Sequence, residues 1–257
     1  MQDSIIAWTN HTANFWMGCA KVSPGCANCY ADKFATNRMR LNVWGTESPR
    51  QSVAGVWANI RKFDRAAVRT GQRARVFVMS LGDFFEDHPD AHRIRPAAWE
   101  AMRQTEAIDF QVLTKRPENI PALLPKGWPW PHVWLGTSIE NDRHVHRADL
   151  LRQVPAAVHF ISAEPLLSDL PSLDLTHIEW LIVGGESGPG YRPMDHAWAR
   201  AIGERCKAAR VAFFFKQSAG PRAGMGGLLD GQMQRAFPAT PFERAQSIQG
   251  NYEGATP

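Results

Sequence analysis

Three of the four cysteines of this 257-residue chain stand within eleven positions, Cys19, Cys26 and Cys29, in the stretch Cys19-Ala-Lys-Val-Ser-Pro-Gly-Cys-Ala-Asn-Cys-Tyr30. Thiolates so spaced, with Pro24-Gly25 supplying the turn, are suited to hold a metal. Two ligand sets fit the C-x6-C-x2-C arrangement. Three thiolates can take three corners of a cubane [4Fe-4S] cluster and leave one iron open. Alternatively, zinc could complete a tetrahedral set with His11 or another histidine, as in a zinc-stabilised nucleic-acid-binding module without catalysis. The absence of a fourth cysteine at short spacing points to an open, reactive centre rather than a closed structural one. Cys206 lies in Trp198-Ala-Arg-Ala-Ile-Gly-Glu-Arg-Cys206, an amphipathic helical pattern, and reads as a packed small hydrophobe.

Such a loop needs a scaffold, and composition permits a sizeable one: 44% of the residues are apolar, enough for a core in one or two domains. No apolar run is long enough to span a bilayer, and Met1-Gln2-Asp3-Ser4 opens without the basic and apolar regions of a secretory leader. A cytoplasmic protein is expected, where close cysteines are metal ligands more often than disulfides. Lys and Arg exceed Asp and Glu by four, which permits an anionic partner without demanding one.

Short β-rich runs recur at Arg75–Ser80, Phe110–Thr114, Val133–Ser138, Val158–Ser162, Trp180–Gly184 and Val211–Lys216, and Ile5–Trp8 is a candidate first strand. Helical patterns at Val56–Val68, Arg95–Ala107, Asp142–Val154 and Ala197–Ala209 alternate with them, so a parallel sheet is expected. Nearly every strand ends in polar residues: Ser80 and Asp83, Thr114-Lys115-Arg116, Ser138 and Glu140, Ser162 and Glu164, Glu186 and Ser187, Lys216 and Gln217. Convergence of all strand ends on one mouth is the property of a barrel, whereas an open doubly wound sheet gathers ligand groups at one switch point. The fold expected is therefore α/β, an incomplete TIM-barrel-like parallel barrel of about six to seven strands over residues 1–218. Residues 219–257, rich in Gly, Ala and Pro, read as an irregular tail, and Pro165–Ile178 is too broken for a good helix.

The stretches Trp8-Thr-Asn10, Pro24-Gly-Cys-Ala-Asn-Cys-Tyr-Ala31, Leu113-Thr-Lys-Arg-Pro117, Trp134-Leu-Gly-Thr-Ser-Ile-Glu-Asn141, Ile161-Ser-Ala-Glu-Pro-Leu-Leu167, Val183-Gly-Gly-Glu-Ser-Gly-Pro189 and Phe214-Phe-Lys-Gln217 resemble the phage-type three-cysteine-motif family. That family occurs in bacteriophages and bacterial chromosomes and is similar to radical S-adenosylmethionine enzymes such as spore photoproduct lyase. The loop departs from the usual C-x3-C-x2-C of that superfamily, with Asn28 before the last cysteine and Tyr30 after it.

The resemblance implies a [4Fe-4S] cluster on Cys19, Cys26 and Cys29. It also implies S-adenosylmethionine chelating the open iron, an electron donor, and a 5′-deoxyadenosyl radical that abstracts hydrogen. It places Ser80 and Asp83 at the ligand amine, Ser138 and Glu140 at the ribose, and Gly184, Gly185 and Glu186 at the adenine or methionine moiety. Glu164 and Lys216 complete the expected cofactor-binding set. Each has a structural rival. Glu140-Asn-Asp142 could cap the following helix; Glu164 could pair with Arg116 or Lys115; Gly184-Gly185 is a common turn. Lys115, Arg116, Arg143, Arg147 and Arg192 are candidates for the phosphates of a nucleic acid or nucleotide substrate.

Overall fold

The structure, a computed structural model, describes residues 4–243. Its strands are β1 (His11–Ala13), β2 (Trp16–Met17), β3 (Gln51–Ser52), β4 (Ala74–Val78), β5 (Ile108–Thr114), β6 (Val133–Ser138), β7 (His159–Ala163), β8 (Trp180–Gly184) and β9 (Ala212–Gln217). All but β2 and β3 belong to one sheet in the order β1-β4-β5-β6-β7-β8-β9. Every pairing in that sheet is parallel. Spatial order follows chain order throughout, so the sheet has no switch point, and a doubly wound arrangement is excluded. Strands added always on the same side, each twisted against the last, curl the sheet into an incomplete barrel. β2 and β3 form a separate antiparallel ribbon.

The helices are α1 (Tyr30–Lys33), α2 (Val56–Thr70), α3 (Pro89–Arg103), α4 (Ile120–Leu123), α5 (His146–Arg152) and α6 (His196–Ala209). In α2 the buried residues Val56, Ile60, Phe63 and Ala67 make one apolar stripe at helical spacing, and that stripe seats it against the sheet. α6 begins where the Asp195 side chain accepts a hydrogen bond from Ala197 N–H, and it ends at Arg210 in the left-handed conformation, φ 59°. Cys206 is fully buried on α6 among the apolar side chains between helix and sheet.

Period-two alternation sorts the strand residues into two cores. Val76, Val78, Val112, Leu135, Ile161, Leu181 and Phe215 pack against the helices. Phe77, Trp134, Phe160, Trp180, Ile182 and Phe214 pack with Trp8 on the concave face. Burying a side chain of this size contributes roughly 1.5–3 kcal/mol. Gly136 leaves room there for a ring: a Cβ on it would stand 2.4 Å from the Phe160 ring.

The first strand begins six residues later than expected, at His11–Ala13 in register with Val76–Val78. Residues 5–8 turn instead, because Trp8 is drawn into the aromatic floor, 4.6 Å from Phe77 and 6.1 Å from Trp180 between ring centroids. α3 starts at Pro89, six residues before the expected Arg95, with His88 as its cap and Pro96 accommodated inside it. The Asp142–Val154 pattern divides into a 3-10 turn at Asp142–His144 and α5. No helix forms over 165–178, as expected.

The segment after β9 is irregular yet docked. Phe215 N–H donates to Gln234 O at 2.7 Å, Ala236 N–H donates to Phe213 O at 3.0 Å, and the Phe237 ring lies 5.3 Å from both Trp180 and Phe214. The remainder of the expected tail, 244–257, lies outside the described residues. Among the described residues no helix is long and apolar enough to cross a membrane.

Candidate metal and ligand site

The loop between β1 and α2 carries Cys19, Cys26 and Cys29 across the C-terminal ends of the sheet strands, and all three thiols are free. They line one cavity of about 570 Å³, together with Ser80, Asp83, Ser138, Ser162, Glu164 and Lys216. β4 feeds this mouth through a backbone turn at Met79, whose φ of 65° is left-handed. Ser80 and Asp83 follow the turn; Ser80 Oγ accepts from Asn14 Nδ2 at 3.0 Å.

Three buried carboxylate clusters fasten the loop, one near each cysteine. At Cys19, Arg116 donates to the sulfur at 3.6 Å and to Ala20 O at 2.8 Å. Arg116 is itself held by Asp83 at 2.9 Å and Glu86 at 3.2 Å. Glu86 accepts from Ala20 N–H at 2.8 Å and pairs with Arg50 at 2.7 Å. Asp83 also accepts from Thr114 Oγ1 at 2.6 Å and from the amides of Phe85 and Lys115. Near Cys26, Glu140 accepts from Ser23 Oγ at 2.7 Å and pairs with Arg147 at 3.0 Å and Lys115 at 3.4 Å. Near Cys29, Glu186 accepts from Asn28 Nδ2 at 2.9 Å and pairs with Arg192.

The charges account for the protonation of these groups. Burial, and then the negative charge of Asp83 and Glu86, pushes the Cys19 thiol far up; burial also raises Cys29. Two arginines, Arg50 and Arg116, are already balanced by two carboxylates at Cys19. A metal ion at that sulfur would have to displace the thiol proton. Burial alone would raise Glu140, but Lys115 and Arg147 hold its carboxyl below the usual range. Burial likewise opposes ionisation of Glu186, yet the hydrogen bonds from Arg192 and Asn28 bring it down to about 2.

The expected site residues therefore separate into two sets. Ser80, Ser138, Glu164 and Lys216 face the cavity, and Asp83 borders it while holding Arg116 for the loop. Glu140 is fully buried and engaged by the loop, and its neighbour Asn141 makes no side-chain cap. Glu186 has the same fastening role on the other side. Glu164 pairs with Lys216 at 2.9 Å, rather than with Arg116 or Lys115, and accepts from Ser162 Oγ at 3.1 Å and Trp8 Nε1 at 3.3 Å. Gly184 makes room for that carboxylate: a Cβ on it would stand 2.3 Å from Glu164 Oε1. Gly185 is packed on the backbone of Ala219, 2.1 Å from where its Cβ would be. His11 stacks on Phe63 of α2, ring centroids 4.0 Å apart, on the helix-covered side of β1.

Arg50, Glu86 and Asn14 are absent from the sequence-based set. Nothing local in the sequence marks all three, because their roles come from partners 30 to 67 residues away.

Residues 3–238 match a family model described as DUF5131, protein of unknown function. The chain belongs to this family. The match spans the cysteine loop, the whole sheet and the segment docked on β9. No curated protein and no solved structure matches the chain.

Cys19, Cys26 and Cys29, lining one cavity, are the free thiols available to a metal or cluster. Among the described residues no three thiols, imidazoles or carboxylates converge on a common point as ligands of one ion do.

Proposed function

We propose that the chain is a cytoplasmic iron–sulfur enzyme of the radical S-adenosylmethionine type, acting on a nucleic acid or nucleotide and reduced by an external electron donor. The observation that carries this reading is the sharing of one cavity wall by Cys19, Cys26 and Cys29, while the fourth cysteine lies buried in α6. Those three residues would hold the cluster. When bound, it would supply the single electron needed for reductive cleavage of S-adenosylmethionine and hydrogen abstraction from the substrate.

The chain's own residues serve to orient and shield. Asp83, Glu140 and Glu186 fix the loop before any ligand arrives, so little ordering remains to oppose binding. Lys216, backed by Glu164 and Ser162, offers an ammonium to an acceptor such as a carboxylate. Ser80 and Ser138 offer hydroxyls that both donate and accept. Trp8, Phe77 and Leu113 line the cavity's apolar side and exclude water from a reactive centre.

Anaerobic reconstitution with iron and sulfide, then dithionite and S-adenosylmethionine, tests the reading. Chromatography should show 5′-deoxyadenosine above a Cys26→Ala control. Zinc without iron, or a loaded cluster that binds S-adenosylmethionine and yields none, overturns it.

A further inference from the structure

Four of the five basic residues at the mouth are committed to carboxylates: Lys115 and Arg147 to Glu140, Arg116 to Asp83 and Glu86, and Arg192 to Glu186. They are poor phosphate ligands, since each would have to leave a buried or half-buried partner. The fifth, Arg143, is exposed, and further uncommitted positive charge lies in the cysteine-bearing segment. Between residues 21 and 40 four cations, Lys21, Lys33, Arg38 and Arg40, stand against the single carboxylate Asp32. The whole chain exceeds neutrality by four, so this short stretch holds three of those four charges.

Only Lys21 among these cations forms an ion pair in the described residues, a half-exposed one with Asp32 at 3.0 Å. Lys33 Nζ donates to Pro189 O at 3.1 Å, and Arg38 and Arg40 are exposed.

Interleaved with them are bare apolar side chains: Val22 is 45% exposed, Tyr30 53% and Met39 44%, and Tyr191, 40% exposed, follows the Gly190 carbonyl to which Asn28 donates. Tyr30 Oη donates to Ser80 O at 2.7 Å, so its ring is held in place while the residue stays 53% exposed. A fixed aromatic face beside cations is what stacks a base next to its phosphate. Along the segment the apolar residues are single and alternate with charge, unlike the apolar run expected of a protein interface. Lys21, Val22 and Tyr30 also line the cavity, so a strand following this face passes its mouth.

We propose that the cysteine-bearing segment 21–40 is a docking face for single-stranded nucleic acid, with Lys21, Lys33, Arg38 and Arg40 on phosphates and Tyr30 on a base. This deepens the substrate class of the reading above and rests on it in taking the cysteine loop as the working end of the molecule.

The test is fluorescence anisotropy of a labelled single strand of about 16 nucleotides with the purified full-length protein, across salt concentrations. Four phosphate contacts give a log–log salt slope of roughly −2.8. Arg38→Glu with Arg40→Glu should weaken binding at least about tenfold and halve that slope to roughly −1.4. Arg61→Glu with Arg65→Glu, exposed on α2, should leave both unchanged. Absence of salt-dependent binding overturns the proposal. So does equal weakening by the α2 pair, or competition by polyglutamate as strong as by unlabelled strand, which would make the face a receptor for acidic protein. The measurement involves no metal chemistry, so it can fail while 5′-deoxyadenosine is formed, and it can succeed where none is.

Discussion

Glu140 accepts a hydrogen bond from Ser23 Oγ at 2.7 Å across 117 residues of chain, and a Cβ on Gly25 would stand 2.4 Å from the Glu140 Cγ. The end of β6 and the turn before Cys26 are thus in direct contact. Glu140→Gln should leave Arg147 and Lys115 facing a neutral group in a buried site and cost about 3–5 kcal/mol. Gly25→Ala should cost about 1–3 kcal/mol through overpacking at the same contact. Urea midpoints measure both. A Glu140→Gln protein as stable as the wild type would show that the carboxylate does not fasten the loop.

Cluster content should separate the cysteines. Cys19→Ala, Cys26→Ala and Cys29→Ala should each lose the broad visible absorption of a reconstituted cluster. Cys206→Ala should keep it and cost about 1 kcal/mol for a small void in the helix–sheet core. Absorption and thermal unfolding of the four variants decide the matter, and loss of the cluster from folded Cys206→Ala would make that residue a fourth ligand.

Stability should fall in acid through Glu186. Its carboxyl is held at about 2 against an ordinary 4.5. A depressed carboxyl contributes stability above its unfolded value and loses that contribution as pH falls from 4.5 toward 2. Wild type should therefore lose stability in this window more steeply than Glu186→Gln, which is less stable at neutral pH and lacks the transition. Parallel pH profiles for the two proteins would remove Glu186 from the acid response.

Gly184→Ala should displace Glu164 and break its pairing with Lys216, at a cost of about 1–3 kcal/mol. In a Glu164→Ala background the same substitution should cost much less, because the clash is gone. A double-mutant cycle reads this coupling directly. Additive effects would mean that the carboxylate has room elsewhere.

Lys216→Met should reduce the affinity of the reconstituted protein for S-adenosylmethionine by about ten- to a hundredfold, the worth of one charge-assisted hydrogen bond. Calorimetric titration measures it, with circular dichroism to show that the fold persists. Unchanged affinity would assign Lys216 to the scaffold alone.

The residues themselves determined the cysteine loop, six of the seven sheet strands and the parallel order. Those features are local: thiol spacing, β-rich runs such as Trp180–Gly184, and helical stripes such as Val56 to Ala67 repeat within a few residues and need no partner to be recognised. The three-residue β1 carries too few side chains for a period, and Trp8 beside it is a stronger apolar signal than the strand itself. Only the tertiary structure decided which polar strand ends face the cavity and which are spent on the loop. Asp83, Glu140, Glu164 and Glu186 are alike in sequence, each a carboxylate at or just beyond a strand end. Glu140 and Glu186 became fasteners because Ser23 and Asn28 were brought to them from 117 and 158 residues away. Glu164 stayed in the cavity because Gly184 and Lys216, on neighbouring strands, gave it space and a counter-charge. A charge's role follows from its nearest opposite charge, and in a curled parallel sheet that neighbour comes from a distant part of the chain.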